Sequence, residues 1–114
     1  MNIMPIPAEL LTDSFTLLIP NSSGGYSRTP IYDVRVVRTN RISDYVSSRV
    51  RDSTELTIYF DCENSYPQDV RFSAGQSAEY RGERFELTEV KAFGAEDIHH
   101  FKITAVKTGG KYSG

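Results

Sequence analysis

The residues that could do chemistry stand together in one short segment, EDIHHF, residues 96–101. His99 and His100 are the only two histidines, and Glu96 and Asp97 come just before them. Imidazole and carboxylate groups bind metal ions and carry protons. Adjacent residues of a β-strand point to opposite faces, however, so His99 and His100 cannot chelate one ion. Asp97 with His99 remains, and two ligands are fewer than a metal site needs, so we expect neither a metal nor a catalytic residue here.

The pattern after the doublet gives both histidines a structural interpretation. A strand over residues 98–106 would place His99 on the inner face, with the apolar residues that follow at every second position. His100 would then lie on the outer face with the intervening polar residues. A bulge would exchange the two rings.

Cys62 is the only cysteine, which excludes an internal disulfide and any cysteine-rich zinc site. It lies between Asp61 and Glu63, and two carboxylates disfavour a thiolate. We therefore expect an inert residue at the end of a strand. No nucleophile motif and no phosphate-binding glycine loop occurs elsewhere, so we expect no enzyme, no cofactor and no small-molecule substrate.

Length and composition set the frame for any site. The 114 residues suffice for one domain, expected over residues 1–107, followed by a flexible tail over residues 108–114 that has little apolar content. A net charge of -2 does not favour nucleic acid or an acidic membrane surface as the main partner. No apolar run approaches the roughly 20 residues of a membrane helix, and the start lacks the pattern of a signal peptide. We expect a soluble protein that is not exported and has no membrane partner.

Apolar residues alternate with polar ones at the period of β-strands in several segments. TELTIYFD, residues 54–61, places Leu56, Ile58 and Phe60 on one face. Its other face is predicted to hold Glu55, Thr57, Tyr59 and Asp61. IYDVRVVRT, residues 31–39, is predicted to set Tyr32, Val34 and Val36 against Asp33, Arg35 and Val37. SFTLLIP, residues 14–20, is a shorter apolar strand.

Residues 77–93 read as a hairpin in which Arg81 and Gly82 form the turn, with Gly82 supplying a positive φ. The apolar phase then slips, which predicts a bulge near Thr88 and Glu89. PAELL, residues 7–11, could form one helical turn before the first strand. About six strands with short turns predict an all-β fold, a small antiparallel β-barrel, because closure removes exposed edges.

The arginines are concentrated between residues 35 and 51. Five arginines and one acid give this segment a net charge of +4, so all other residues together carry -6. Residues 39–53 within it are polar and rich in serine, and 15 residues are long for a hairpin connection. We expect a long projecting loop. It could be a solvated mobile segment, or it could order against a partner subunit or a phosphate backbone, and Tyr45 and Val46 favour contact with a partner.

Five segments in order carry a resemblance to a known family: IPAELL, VRVVR, LTIYFDCENSYP, FSAGQSAEYRGERFELTEV and IHHFKITAV. Over about residues 5–107 the chain resembles the small minor capsid proteins of tailed bacteriophages and prophages, which belong with head-tail connector and head-completion proteins. The matching positions of the hairpin are Gly75, Tyr80, Gly82, Phe85 and Leu87. Those of the central strand and its turn are Leu56, Tyr59, Phe60, Asp61, Asn64 and Ser65, and those of the closing strand are His99, His100 and Phe101. The chain departs at Gln76, where the family tends toward an acid, and at Arg81, where asparagine is usual.

The resemblance implies a structural virion protein without catalytic activity. It would assemble as a ring with other copies of itself beneath the portal, link portal or adaptor to tail proteins, and help retain packaged DNA. The expected location is the head-tail junction of the virion, after assembly in the cytoplasm of the bacterial host. In related stopper proteins a long loop projects into the channel, which implies that role for residues 39–53 here. The implied interface or channel residues are Arg38, Arg41, Tyr45, Val46, Arg49 and Arg51.

The main alternative is a stand-alone barrel of the oligonucleotide-binding type, since such barrels present aromatic and arginine side chains on one face. Such modules usually have a basic charge balance and exposed stacking aromatics. This chain is acidic outside residues 35–51, and most of its aromatic residues are predicted to alternate inward.

Overall fold

The computed structural model describes residues 8–44, 50–94 and 97–108. A 3-10 turn over Ala8–Leu10 precedes six strands. These are β1 (Asp13–Pro20), β2 (Tyr26–Asp44), β3 (Val50–Asp61), β4 (Ser77–Tyr80), β5 (Glu83–Phe93) and β6 (His100–Thr108). No helix in the described part is long and apolar enough to cross a membrane. The predicted tail lies outside the described residues except for Thr108, which ends β6.

The six strands close into a barrel in the order β1-β2-β3-β6-β5-β4, with every neighbouring pair antiparallel. The predicted all-β fold, a small antiparallel barrel, is confirmed. Long ladders join β2 to β3 and β3 to β6. The barrel closes through a short ladder between β1 and β4, centred on the pair Leu17 and Ala78.

The core lies inside the barrel and follows from the alternation along the strands. Leu56, Ile58 and Phe60 are fully buried, as predicted for the inner face of β3. Buried residues from the other strands complete the core: Phe15, Leu17, Ile31, Val34, Ala78, Tyr80, Phe85, Leu87, Ile103 and Ala105. Phe72, from the segment between β3 and β4, packs edge-on against Phe60 with ring centroids 5.2 Å apart. Apolar burial from all six strands thus stabilises one core.

The predicted hairpin turn and bulge are both present. Tyr80 pairs with Glu83, and the two residues between them have φ values of 52° at Arg81 and 80° at Gly82, the conformation of a type I′ turn. Further along β5, Leu87 pairs with Ala105 and Glu89 with Thr104, so that Thr88 is the extra residue of a bulge. Both predictions are confirmed.

A second bulge, at Asp33 of β2, was not predicted. Val34 pairs with Asp13 while Tyr32 pairs with Ser14, and Asp33 between them has a φ of 58°. The bulge changes the phase of the strand, because Ile31 and Val34 are buried and Tyr32 is 46% exposed. The predicted shared face of Tyr32 and Val34 is therefore wrong.

The predicted loop over residues 39–53 is for the most part paired strand. β2 continues to Asp44 and β3 begins at Val50. The two strands pair from Arg35 with Tyr59 to Asp44 with Val50. The last described pair between β3 and β6 joins Ser53 to Thr108, and β2 and β3 continue past it. We call residues 39–44 and 50–53 the ribbon. Its polar composition suggested a loop, but ladder hydrogen bonds come from the backbone and do not require apolar side chains.

Candidate functional site

His100 begins β6 and is only 9% exposed. Its ring stacks on Phe93 of β5, with centroids 5.0 Å apart and an interplanar angle of 17°. The prediction that His99 lies inside and His100 outside is wrong. The strand begins at His100, so His99 lies before the regular alternation, and Phe93 covers the ring that was expected to face solvent.

Burial lowers the pKa of His100 below its ordinary 6.5, and His99 adds to this effect while the carboxylate of Asp61 opposes it. The imidazole is therefore neutral at pH 7. Its Nδ1 has no hydrogen-bond partner among the described residues. A neutral, stacked ring contributes to packing at the beginning of β6.

Asp61 ends β3 and is 1% exposed, although it was predicted for the face opposite the core residues of that strand. Its Oδ1 accepts hydrogen bonds from the backbone N–H groups of Glu63 at 2.8 Å and Asn64 at 3.1 Å. The backbone N–H of Asp61 donates to Ser65 Oγ at 2.9 Å, and that hydroxyl donates to the carbonyl of Asp33 at the β2 bulge. The side chain folds back over its own turn, as aspartate does where a strand ends.

The other carboxylate oxygen of Asp61, Oδ2, is buried and has no hydrogen-bond partner among the described residues. Asp61 lies on the wall of a cleft of about 430 Å³ beside this turn. We call it the acidic cleft. Its lining is Asp61, Cys62, Glu63, Gln68, Asp97, Ile98 and His99.

Cys62 and His99 line the same cleft, an arrangement that the sequence did not predict. The backbone N–H of Cys62 donates to the carbonyl of His99 at 2.9 Å, and the N–H of His99 donates to the carbonyl of Phe93 at 2.7 Å. Burial, followed by the charge of Asp61, raises the pKa of the Cys62 thiol. The side chain is therefore a thiol at neutral pH, which does not favour a nucleophilic role. Only the pairing of β3 with β6 brings these two residues together, and no local motif signals it.

Asp97 and His99, the candidate metal pair of the sequence, both line the acidic cleft. Within residues 8–44, 50–94 and 97–108, no group of three or more histidine, cysteine, aspartate or glutamate side chains is arranged to hold a metal ion. The described lining offers a ligand hydrogen bonds and charge.

Arg38 lies at the opposite end of the barrel. Its guanidinium is 3.0 Å from a carboxylate oxygen of Glu83 and 6.0 Å from the centroid of the buried Phe85 ring. Lys107 approaches the same carboxylate at 3.8 Å. Arg38, which the sequence predicts for an interface or channel, thus contacts Glu83 and Phe85 of its own barrel.

The ladder between β2 and β3 gives the register of two of the predicted ribbon arginines. Arg41 pairs with Ser53 and Arg51 pairs with Ser43. Tyr45, Val46 and Arg49 lie outside the described residues.

The ribbon is less basic as a whole than the count over residues 35–51 indicated. The ribbon residues, 39–44 and 50–53, contain two arginines and two aspartates, a net charge of zero, because Arg35 and Arg38 precede the ribbon and Asp52 lies within it.

The hairpin residues of the resemblance are part of the barrel. Phe85 and Leu87 are buried in the core, and the Tyr80 hydroxyl donates to Asp13 Oδ1 at 3.5 Å. Gly75, with a φ of 97°, donates from its N–H to the carbonyl of Leu87. Gln76, where the family tends toward an acid, accepts a hydrogen bond from the N–H of Ser73 and donates one to the carbonyl of Arg71. An acid could make only the first of these two bonds without taking up a proton.

Three tyrosines of the described part are exposed on the barrel, whereas Phe15, Phe60, Tyr80 and Phe85 face inward as predicted for most aromatic residues. Tyr32 and Tyr66 are 46% and 48% exposed and lie with ring centroids 5.8 Å apart. Their backbones form a two-bond bridge, with N···O distances of 2.8 and 3.2 Å. Tyr26 is 45% exposed and carries the Arg84 guanidinium 4.3 Å from its ring centroid.

Comparison with models of protein families, with curated proteins and with solved structures finds no match to this chain.

Proposed function

We propose that this protein is a structural component of a phage or prophage virion, a minor capsid protein of the head-tail connector that helps to join portal to tail and to retain packaged DNA. The observation that carries the proposal is a closed barrel from which two strands continue as a ribbon. The order of sequence motifs described above supports it. The proposal assigns the chain no catalytic activity and no cofactor.

The ribbon supports a role in assembly because contact with a partner protein would stabilise it. A two-stranded ribbon is marginally stable in water on its own. Beyond the pair Ser53 and Thr108, the described pairings of the ribbon are between its own two strands only. Among the described residues its outer backbone groups have no strand partner, so they could pair with a strand or loop of a neighbour. Other copies in a ring, portal or adaptor proteins and tail proteins are the partners that we propose.

The barrel supplies a rigid base for such contacts. Its six strands leave few free edges, and one core of aromatic and aliphatic residues holds all of them together. The ribbon includes Arg41 and Arg51, which could meet DNA phosphates in the channel. A net charge of zero over the ribbon favours few such contacts, so retention of DNA would depend on closing the channel more than on binding phosphate.

Deletion tests this function. The gene is removed from the genetic element that encodes the chain, and particles are compared after complementation with the full chain or with a chain lacking residues 41–51. We expect that only the full chain restores nuclease-protected DNA and attached tails. The shortened chain should still be present and folded. Particles that hold DNA and join tails without residues 41–51 would refute the role of the ribbon.

The exposed tyrosines favour one alternative, a stand-alone oligonucleotide-binding barrel. Tyr32, Tyr66 and the Tyr26–Arg84 pair offer stacking surfaces for unpaired bases. Titration with single-stranded DNA at low and at physiological salt discriminates between the two functions. Micromolar, strongly salt-dependent binding that is lost in Tyr32→Ala and Tyr66→Ala would favour the alternative.

A further inference from the structure

Two strands of the barrel, β2 and β5, are longer than the neighbours that pair with them on one side. The β1–β2 ladder ends at Asp13 and Val34, and the β4–β5 ladder covers only the first part of β5. Within the described residues, the later parts of β2 and β5 therefore each have one free edge. We propose that these edges pair with each other across two copies of the chain, β5 of one copy beside β2 of the next. This inference rests on the proposed ring, for which it names the contact.

The free edge of β5 is formed by the backbones of Val90 and Ala92. Leu87 is the last residue of β5 with backbone hydrogen bonds on the β4 side, and Phe93 accepts a bond from the N–H of His99 on the β6 side. Alternate residues of a strand direct their N–H and C=O groups to opposite sides. Val90 and Ala92 therefore face away from β6, and their backbone groups have no partner among the described residues.

The free edge of β2 is formed by the backbones of Arg38 and Asn40. The N–H of Val36, on the β1 side, donates to Asp13 Oδ2 at 2.9 Å, so a side chain takes the place of a strand there. The same alternation directs the N–H and C=O groups of Arg38 and Asn40 to this side. They have no backbone partner in the described part of the chain, and the edge continues into the ribbon.

A second copy supplies what each edge lacks. On their free sides β2 and β5 are separated by β1 and β4, so the two edges cannot meet within one barrel. Each edge offers two residues spaced two apart. In an antiparallel ladder every second residue pair exchanges two hydrogen bonds, so the two edges can form four. The contact joins different surfaces of the two copies, and such a heterologous contact closes into a ring when the rotation between copies allows it.

Little on the edge of β5 opposes the approach of another strand. Exposed edges are usually protected by lysine, proline or a bulge. The bulge at Thr88 lies before the free edge, and beyond it the ladder with β6 is regular. Lys91 lies 3.6 Å from Glu89, which offsets its charge. Ala92 is exposed and small. The backbone of this edge is therefore accessible to a partner strand.

Two proline variants, each of which removes one edge, test the pairing. Ala92→Pro and Asn40→Pro each remove an N–H that faces a free edge, and an edge strand tolerates proline at such a position. Ala92→Ser and Asn40→Ser are the matched controls, because they change the same side chains and keep both N–H groups. Circular dichroism and thermal unfolding verify that all variants fold.

Sedimentation velocity up to about millimolar protein measures self-association. We expect the wild type and both serine controls to associate, and each proline variant to associate at least tenfold more weakly. A 1:1 mixture of the proline variants should form dimers and nothing larger, since it contains one intact edge of each kind. Association of Asn40→Pro at wild-type strength, with loss in Ala92→Pro, would mean that two β5 edges pair with each other and would overturn the proposal.

Hydrogen exchange of the wild type reports the backbone pairing without any substitution. The amides of Arg38, Asn40, Val90 and Ala92 should gain at least tenfold protection at protein concentrations where the chain is associated. The amide of Ile58, which lies inside the β3–β6 ladder, should change little. Association without added protection at the four edge amides would overturn the pairing.

A wild-type chain that stays monomeric to millimolar concentration would also overturn the contact. The virion function fails by a different observation, which is particles that are complete without the chain. The two failures are therefore distinguishable.

Discussion

At the scale of single residues, the end of β3 joins three parts of the molecule. Asp61 caps its own turn, Ser65 connects that turn to the bulge at Asp33, and His100 pairs with Asp61 across the ladder. These contacts place a half-satisfied carboxylate beside a neutral imidazole. Stability at this end of the barrel should therefore depend on pH.

His100 gives that dependence its direction. Its folded-state pKa lies below 6.5, so as the pH falls through 6.5 the unfolded chain binds a proton that the folded chain does not. The free energy of unfolding should fall between pH 7.5 and 5.5. Denaturant unfolding of wild type and His100→Asn at both pH values checks this. The variant should lose part of the decrease, and equal decreases in the two proteins would contradict the account.

Gly94, which follows β5 and precedes the cleft residues, is a second test at this scale. Its φ is 148°, and a Cβ built there would overlap the carbonyl group of Asp97. Gly94→Ala should lower the free energy of unfolding by about 1–3 kcal/mol, as measured by denaturant unfolding. Gly24→Ala is the matched control, because Gly24 also has a positive φ but nothing lies within 4 Å of its Cβ position. An equal or larger loss in the control would show that the overlap has no effect.

At the scale of elements, we expect the barrel to fold without the ribbon. All side chains described as part of the buried core belong to residues outside 39–53. Replacing residues 42–52 with an Asn-Gly turn that joins Arg41 to Ser53 should leave the barrel folded, because such turns suit two-residue hairpins. Thermal unfolding should remain cooperative, with a midpoint within about 5 °C of wild type. A loss of cooperative unfolding would mean that the ribbon is needed for the fold.

Much of the element structure follows from the sequence, and the exceptions have physical causes. The Arg81–Gly82 turn and the Thr88 bulge each leave a local signal, which is a glycine that supplies positive φ or a slip in the apolar phase. The Asp33 bulge leaves no such signal. Ile31 and Tyr32 are both apolar, so the sequence is compatible with either residue on the inner face of β2.

The site was harder to predict than the fold. Asp61 sits where alternation predicts an exposed residue, and only its long-range contacts with Ser65 and β6 bury it. The meeting of Cys62 with His99 depends on the same pairing of strands. Alternation within one segment contains no information on such contacts between segments.

At the scale of the whole molecule, the barrel should open first at the ladder between β1 and β4, which is the ladder that closes it. The β1–β4 ladder has three residue pairs, whereas the β2–β3 ladder has ten and the β3–β6 ladder nine. Hydrogen exchange should therefore be faster at the amides of β4 than at those of β3 between residues 54 and 60. Uniform protection across all six strands would contradict this, since it would show that the barrel opens only by global unfolding.

The central claim is that this protein is a part of the head-tail junction. Electron cryo-microscopy of purified particles from the genetic element that encodes the chain tests it most directly. The account predicts density for a ring of six-stranded barrels between portal and tail, with a ribbon extending from each barrel. Complete particles, filled with DNA and carrying tails, whose junction contains no such barrel would contradict it.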